Sequence, residues 1–563
     1  AICLSDPALV RALHDSYVDA GVDIVQTNTF GASRLRLAEY GLADRAEEIN
    51  RAAVRIAREA AAQTRPVLVA GSVSPAVSVQ QRRKADPAAR VAALHEQIAV
   101  LVDAGVDLIV LETFGYLDEL LEAVRVAVAE VAVPVIAQAT FGTDARTLSG
   151  HTPREVAQAL GETPIAAMGT NCTLGPQRLL AVVRELREHT DLPLTGQPNA
   201  GLPRRVGPAR FEYDIDSEYL VRYVSQLVDA GASIVGGCCG TTPTQLAAVA
   251  QMIAEHRARR AGTFTAHPVR SPAGAPAQAP ATGPERLVAV ELTPEISGGV
   301  DDALDAAARL AEAGVGLVSV AAGSGVRARI SPVDLALHLH QRLGLQTMAT
   351  VTTWDRTIMA LQADMLGAHA LGLHRIVCET GSPPLLGDYP HVDGIWDVDS
   401  IGLVQLLAGL NEGSDFYGLQ LPAKTAFEIG ARINPGSRDL AMAAENAREK
   451  IAAGARFLIT RPLYDLADLQ RLLAAIGDDR PPVLVAVRPL SGFEEAEYLR
   501  HEVPDVHIPD DALKILERSG RAGAEAGLAL AAELAEQVAP LVDGLVIAPT
   551  RDPVRTVRRI LRS

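Results

Sequence analysis

Apolar residues along the chain fall into two alternating patterns. Amphipathic stretches with an apolar position every three to four residues, such as "DPALVRALHDSYVDAG", read as helices. Between them lie short β-branched runs that end in Gly, Asn or Thr. In the first 250 or so residues these runs are "VDIVQTN", "PVLVAGS", "DLIVLET", "PVIAQAT", "IAAMGTN", "PLTGQP" and "SIVGGCC". Runs this apolar, each followed by a helix, predict parallel strands covered on both faces. A closed (β/α)8 barrel needs eight strands and this half shows seven, so the first strand is expected upstream of residue 1.

The second half repeats the phrase eight times: "LVAVELT", "GLVSVAA", "TMATVTT", "RIVCETG", "FEIGARI", "RFLITRP", "VLVAVRP" and "GLVIAPT". The fold expectation is therefore two (β/α)8 TIM barrels in tandem, the first without its first strand. Between them the texture changes to "HRARRAGTFTAHPVRSPAGAPAQAPATGPER", rich in Pro, Ala and Gly, which reads as a linker. The expected domains are residues 1–255 and 286–563, with a linker over 256–285. A dinucleotide-loop lookalike, "GSGVRA" at Gly323 to Ala328, lacks its third glycine and an acidic partner downstream, so it reads as an ordinary loop.

Composition narrows the function. The 563 residues carry 52 Lys and Arg against 68 Asp and Glu, a net charge of −16. That balance opposes a nucleic-acid partner, whose phosphates call for a basic face. The opening residues show no leader, and no long uncharged apolar run suggests a membrane span. Five cysteines in a chain of this length make no disulfide framework and fit a reducing, cytoplasmic setting.

Three of those cysteines stand at strand ends. Cys172 follows a strand in "MGTNCTLGP"; Cys238 and Cys239 follow the last strand of the first half in "VGGCCGTTP", among Gly236, Gly237 and Gly240. Strand ends meet at a barrel mouth, so these thiols can converge there. Three thiolates bind Zn2+ and leave one position open for a substrate. Such a zinc suits a thiol substrate, held as a thiolate for alkyl transfer to sulfur. Cys3 and Cys378 read instead as small buried hydrophobes.

The stretches "TNTFGASRLRLAEYGL", "LETF", "GTNCTLGP", "QPNAGLPR" and "GGCCGTTP" resemble, in order, the homocysteine S-methyltransferase family. The resemblance implies Cys172, Cys238 and Cys239 as zinc ligands and Glu112 as the acid near the homocysteine amino group. It implies Asn28, Asn171 and Asn199 as polar strand-end positions of the same site. The family's opening Asp-Gly-Ala-Met-Gly stretch, with an Asp that helps hold homocysteine, is absent here.

The second half resembles methylenetetrahydrofolate reductase, through Glu291 and Pro294 on its first strand, "ALQADMLGAHALGLHRIVCETGSPPLLGDYP", "AREKIAAGARFLITRPLYD" and "RPLSGFEEAEYLRHEVPDVHIP". That implies a flavin enzyme, using FAD and NAD(P)H, that reduces 5,10-methylenetetrahydrofolate. Glu291 would be the catalytic acid, Lys450 would touch the flavin, and Phe493 would stack on the folate. Four positions depart from the family pattern. Ser382 replaces the flavin-facing Asp, Ala321 a Thr, Ala349 a polar residue, and Arg461 the folate-binding Gln. Two readings of the second barrel follow: a working reductase with an altered pocket, or a folate-binding or regulatory domain without flavin. In either case the expected ligands are homocysteine and tetrahydrofolate derivatives, and both families suggest a homo-oligomer.

Overall fold

The computed structural model describes residues 1–62, 65–82, 84–130, 133–207, 210–213, 215–260, 287–293, 300–322, 330–354, 356–381, 397–548 and 552–561. They form two compact units, one up to Arg260 and one from Leu287 onward.

The first unit is a parallel sheet of seven strands. These are β1 (Ile24–Gln26), β2 (Leu68–Val73), β3 (Leu108–Phe114), β4 (Val135–Ala139), β5 (Ala167–Asn171), β6 (Leu194–Gln197) and β9 (Ala232–Val235), in that order across the sheet. A small antiparallel hairpin, β7 (Arg204–Gly207) and β8 (Arg210–Glu212), is inserted between β6 and β9. The seven expected runs are all present as strands, and the sheet is open, with β1 and β9 at its edges. Helices cover its outer face. Their starts are written in the sequence: Asp6, Ser33, Asp86 and Asp216 accept backbone N–H groups of the first turn, and Thr152 with Glu155 forms a capping box. Pro7, Pro87, Pro153 and Pro176 open helices where no amide hydrogen is needed. The last helix, Pro243–Arg260, runs through the first residues of the expected linker; the rest of that stretch, from 261 to 286, lies outside the described residues.

The second unit is a closed barrel. Its strands are β10 (Leu287–Leu292), β11 (Leu317–Val320), β12 (Gln346–Thr352), β13 (Arg375–Glu379), β14 (Glu428–Ile433), β15 (Phe457–Thr460), β16 (Val483–Val487) and β17 (Gly544–Ile547). Each pairs in parallel with the next, and β10 closes on β17. Residues alternate between two apolar layers. Ala289, Leu317, Met348, Val377, Phe457, Leu484 and Val546 fill the barrel, while Val290, Val318, Ala349, Ile376 and Leu458 pack under the helices. Gly430 is required by this filling, because a Cβ there would sit 2.3 Å from the ring of Phe457. Both strand systems present their C-terminal ends to one face of their own unit, the usual place for chemistry in such folds. Among the described residues no helix is long and apolar enough to cross a membrane.

Candidate functional site

At the C-terminal ends of β5 and β9 the three sulfurs come together. The Sγ atoms of Cys172, Cys238 and Cys239 all lie within 4.8 Å of one another, and Cys172 and Cys239 are 3.6 Å apart. Ligands on a tetrahedral zinc with Zn–S bonds of ~2.3 Å stand about 3.8 Å apart, so the donor set fits the ion. Backbone bonds hold the loops in place. Cys172 N donates to Gln197 O, Cys238 N to Pro198 O, and Ala200 N to Cys239 O. Asn199 Oδ1 accepts from Cys239 N at 3.1 Å. Tyr17, on the first long helix, donates to Thr241 O at 2.7 Å and braces the same loop.

The glycines around the paired cysteines have distinct reasons. Gly240 has φ +78°, and a Cβ on it would meet the Tyr213 ring at 2.2 Å. A Cβ on Gly237 would meet Thr241 at 2.3 Å. Cys172, Thr173 and Thr113 adopt left-handed backbone with φ of 61°, 62° and 61°. That conformation is unfavourable for a β-branched residue, and it persists where the surroundings over-determine it. In Cys172 it falls where the chain leaves β5 toward the other two sulfurs, and in Thr113 it coincides with the break in the β3–β4 register just past Glu112.

Without a cation the cluster holds little charge. Hydrogen bonds from Cys172 and Cys238 pull the Cys239 thiol down to about 3, while the same shared bonds push Cys238 well above the ordinary thiol range. The negative charge thus rests on Cys239, with Cys172 and Cys238 held above the ordinary thiol range, and a divalent cation would allow all three to ionise. Tyr213 also hydrogen-bonds Cys239.

Beside the sulfurs, Glu112 is buried at 7% exposure. It accepts Ser72 Oγ at 2.5 Å and Asn171 Nδ2 at 3.2 Å. Burial raises its pKa, the Ser72 bond opposes that, and the nearby Cys239 adds to it. Asn171 is the hub: its Oδ1 accepts Thr113 N at 2.8 Å, and its Nδ2 also reaches Thr113 Oγ1 at 2.8 Å and Cys238 Sγ at 3.8 Å. Asn28 is different. It is exposed, and the bond it makes is from Nδ2 to Cys3 Sγ at 3.6 Å, on the short helix Ile2–Ser5. Cys3 itself is buried among Val10, Ala52 and Ile56, as a small hydrophobe would be. Ser72, Thr113, Gln197 and Tyr213 were not anticipated as parts of this site.

The second unit's mouth is built from charges. Arg432 on β14 lies 3.9 Å from Glu291 and 3.7 Å from Glu379, and Arg461 just past β15 lies 3.8 Å from the other oxygen of Glu379. Lys450 is buried and donates to Arg432 O at 2.8 Å; burial brings it down to about 8. Burial raises Glu291, and Arg432 opposes that shift. Phe493 opens the helix Phe493–Glu502 and packs with Leu490, Ala496 and Leu499. Cys378 is fully buried on β13, in the layer under the helices. Ala321 and Ala349 are buried and offer no side-chain donor. Ser382, Pro294 and the Gly323 to Ala328 loop lie outside the described residues. Arg432, Arg461 and Lys450 set three cations against two carboxylates, so the described part of this mouth can take an anionic group such as the diphosphate of FAD, while Ala321 and Ala349 give a flavin no side-chain hydrogen bond. Glu379 and Arg432 are the residues here that sequence reasoning missed.

Known proteins agree with this division. Residues 1–253 match the family model for homocysteine S-methyltransferase, and residues 279–542 match that for methylenetetrahydrofolate reductase. The chain is 32% identical over 258 residues to methionine synthase of Mycobacterium tuberculosis, covering 44% of this chain and 22% of that protein. Identity to methionine synthase of Mycobacterium leprae is 31% over 258 residues, covering 44% and 21%. The chain thus spans about a fifth of the length of these curated relatives. Among solved structures, the metallated homocysteine methyltransferase MmuM of Escherichia coli aligns with a TM-score of 0.38 and 27% identity, over 44% of this chain and 86% of that one. The chain therefore carries a homocysteine S-methyltransferase domain followed by a methylenetetrahydrofolate reductase domain.

Proposed function

We propose that the first unit transfers a methyl group to the sulfur of homocysteine, with Cys172, Cys238 and Cys239 as the ligands of a zinc ion. The convergence of three sulfurs within 4.8 Å carries this reading. Bound there, zinc would supply a Lewis acid that keeps the homocysteine sulfur as a nucleophilic thiolate. Glu112, buried beside the sulfurs, is placed to accept the substrate's amino group, and its bonds from Ser72 and Asn171 fix the carboxylate. Asn171 also holds the left-handed turn at Thr113, and Asn199 holds the amide of Cys239. These two are positioning residues. The sulfur gains the methyl group, the donor loses it, and the thiol proton leaves to solvent.

In the second unit, the family implies reduction of 5,10-methylenetetrahydrofolate with FAD and NAD(P)H, and Glu291 would be its acid. The buried alanines Ala321 and Ala349, which offer a flavin no side-chain hydrogen bond, favour the other reading, a tetrahydrofolate-binding domain that does not hold flavin. Arg432 spans Glu291 and Glu379 across the mouth, and Arg461 adds a second cation to Glu379. The absorption spectrum of the freshly purified chain, before and after adding FAD, tests the choice. No flavin band and no FAD binding, together with retained folate binding, is the expected result. A stoichiometric flavin band would restore the reductase reading, with Lys450 near the cofactor.

A further inference from the structure

A second set of metal-ligating groups stands on the rim of the barrel in the second unit, and neither proposed activity uses it. Asp465 and Asp468 belong to the first turn of the helix Leu466–Ile476, which follows β15. His507 lies between the helices Phe493–Glu502 and Asp510–Ser519, in a segment tied down by Asn434 Nδ2 donating to Asp505 O at 3.1 Å and Arg500 Nη1 donating to Ile508 O at 3.2 Å.

Each carboxylate divides its two oxygens between two tasks. Asp465 uses Oδ1 to cap its helix, accepting Ala467 N at 2.9 Å. Asp468, whose side chain is only 4% exposed, uses Oδ1 for Arg471. That leaves Oδ2 of both residues, and both turn toward His507 Nδ1, at 3.6 Å and 2.7 Å. Helix capping and the arginine pair account for the first oxygens. The second ones share one point, His507 Nδ1, and its single N–H can serve only one of them. All three donor atoms lie within 4.8 Å of one another.

We propose that Asp465, Asp468 and His507 bind a divalent cation. Two carboxylate oxygens and one imidazole nitrogen suit a first-row divalent ion such as Mn2+, Fe2+ or Zn2+ better than Mg2+, which prefers oxygen ligands and keeps its waters. A dication offsets two facing carboxylates where a neutral imidazole cannot. His507 is 45% exposed, so the ion has a route in from solvent and open positions for water or an anionic ligand group. The donors are oxygen and nitrogen, so the site differs in ion preference from the three thiols of the first unit.

Mn2+ exploits that difference, because it binds poorly to thiolates and is silent to a soft site. The full-length chain, stripped with a chelator, is titrated with Mn2+ and the free ion is followed by electron paramagnetic resonance. The expected result is a single bound Mn2+ per chain, unchanged in the Cys238→Ser, Cys239→Ser double variant. His507→Ala and Asp468→Asn should each weaken it by about tenfold or more, at least the loss seen when a supporting residue of a metal site is removed. His507 is exposed enough for its alanine variant to fold, and the thermal midpoint without metal checks that. Mn2+ should raise that midpoint in the wild type and not in His507→Ala. A wild-type chain that binds no Mn2+, or binding that both substitutions leave unchanged, overturns the proposal and leaves the cluster as a His507–Asp468 hydrogen bond on the rim.

Discussion

The two mouths in this chain solve opposite problems. The first gathers three groups that repel one another when ionised, within 4.8 Å, and is completed by an added positive charge. The second gathers opposite charges that already satisfy one another: Arg432 between Glu291 and Glu379, with Arg461 alongside. A site poised for a cofactor leaves a deficit for the cofactor to fill. The thiol cluster lacks positive charge, whereas the ion-paired cluster, with buried Lys450 beside two arginines, holds an excess of it. The comparison teaches that two parallel strand systems, one an open seven-stranded sheet and one a closed barrel of eight, can place groups at the same strand ends and yet differ in the sign of the charge the mouth awaits.

The largest effect should come from removing a sulfur. Cys239→Ser is expected to lose the zinc and lower methyl transfer by more than about 100-fold, beyond the loss from changing only a supporting residue. Far-ultraviolet circular dichroism should stay as in the wild type, because the strands that carry the ligands are held by their own apolar layers. Metal content and activity on the same preparation decide it. If the first unit unfolds instead, the metal is structural and the contrast between the mouths collapses.

Breaking the second mouth should cost stability rather than activity. Arg432→Met leaves Glu291 and Glu379 without their shared cation, and removing one partner of a buried pair costs about 3–5 kcal/mol. The separations of 3.7 and 3.9 Å and the partial exposure of Glu379 place this site toward the lower end. Both tryptophans, Trp354 and Trp396, belong to the second half of the chain, so urea unfolding followed by tryptophan fluorescence reports on it selectively. A loss under ~1 kcal/mol would mean that the pairs are solvent-screened and that the mouth is less committed than its geometry suggests.

Glu291 gives a smaller and sharper test. Burial holds its folded pKa above the ordinary value, with Arg432 opposing. The native state then keeps a proton that the unfolded chain has lost, so Glu291's contribution to stability falls as pH rises from about 4.3 toward the raised folded value. The slope cannot exceed about 1.4 kcal/mol per pH unit. Glu291→Gln removes that fall. The variant should match the wild type below pH ~4 and become relatively more stable as pH rises through the window. A flat difference would show that Arg432 cancels the burial.

How much of this could be read from the residues depends on what each feature needs. Short β-branched runs bounded by glycine announce themselves, so "FEIGARI" and "SIVGGCC" are strands where they were expected. Cys172 and Cys239 were legible because strand ends of one sheet must meet. Tyr213 was not, because it reaches Cys239 from the stretch around an inserted hairpin whose position no periodicity reveals. Glu379 stood in plain view in "RIVCETG", yet its role depends on which way the last residue of β13 turns at the mouth. Register decides that, and register is a property of the closed sheet. Thr113 needed a backbone angle that no residue type signals.

Asn28 separates what sequence pattern implies from what the fold delivers. It shares its strand-end setting with Asn171, yet its amide bonds Cys3 while Asn171 ties together Glu112, Thr113 and Cys238. Asn171→Ala is therefore expected to lower methyl transfer by roughly tenfold or more, as loss of a supporting residue does at metal sites. Asn28→Ala should change stability by less than about 0.5 kcal/mol, as exposed substitutions usually do, and leave activity and zinc content near wild type. Parallel assays of the two variants under one set of conditions make the comparison. An equal loss in both would mean that Asn28 turns from Cys3 to the substrate when homocysteine binds. The family-implied role would then stand against its placement in the free chain.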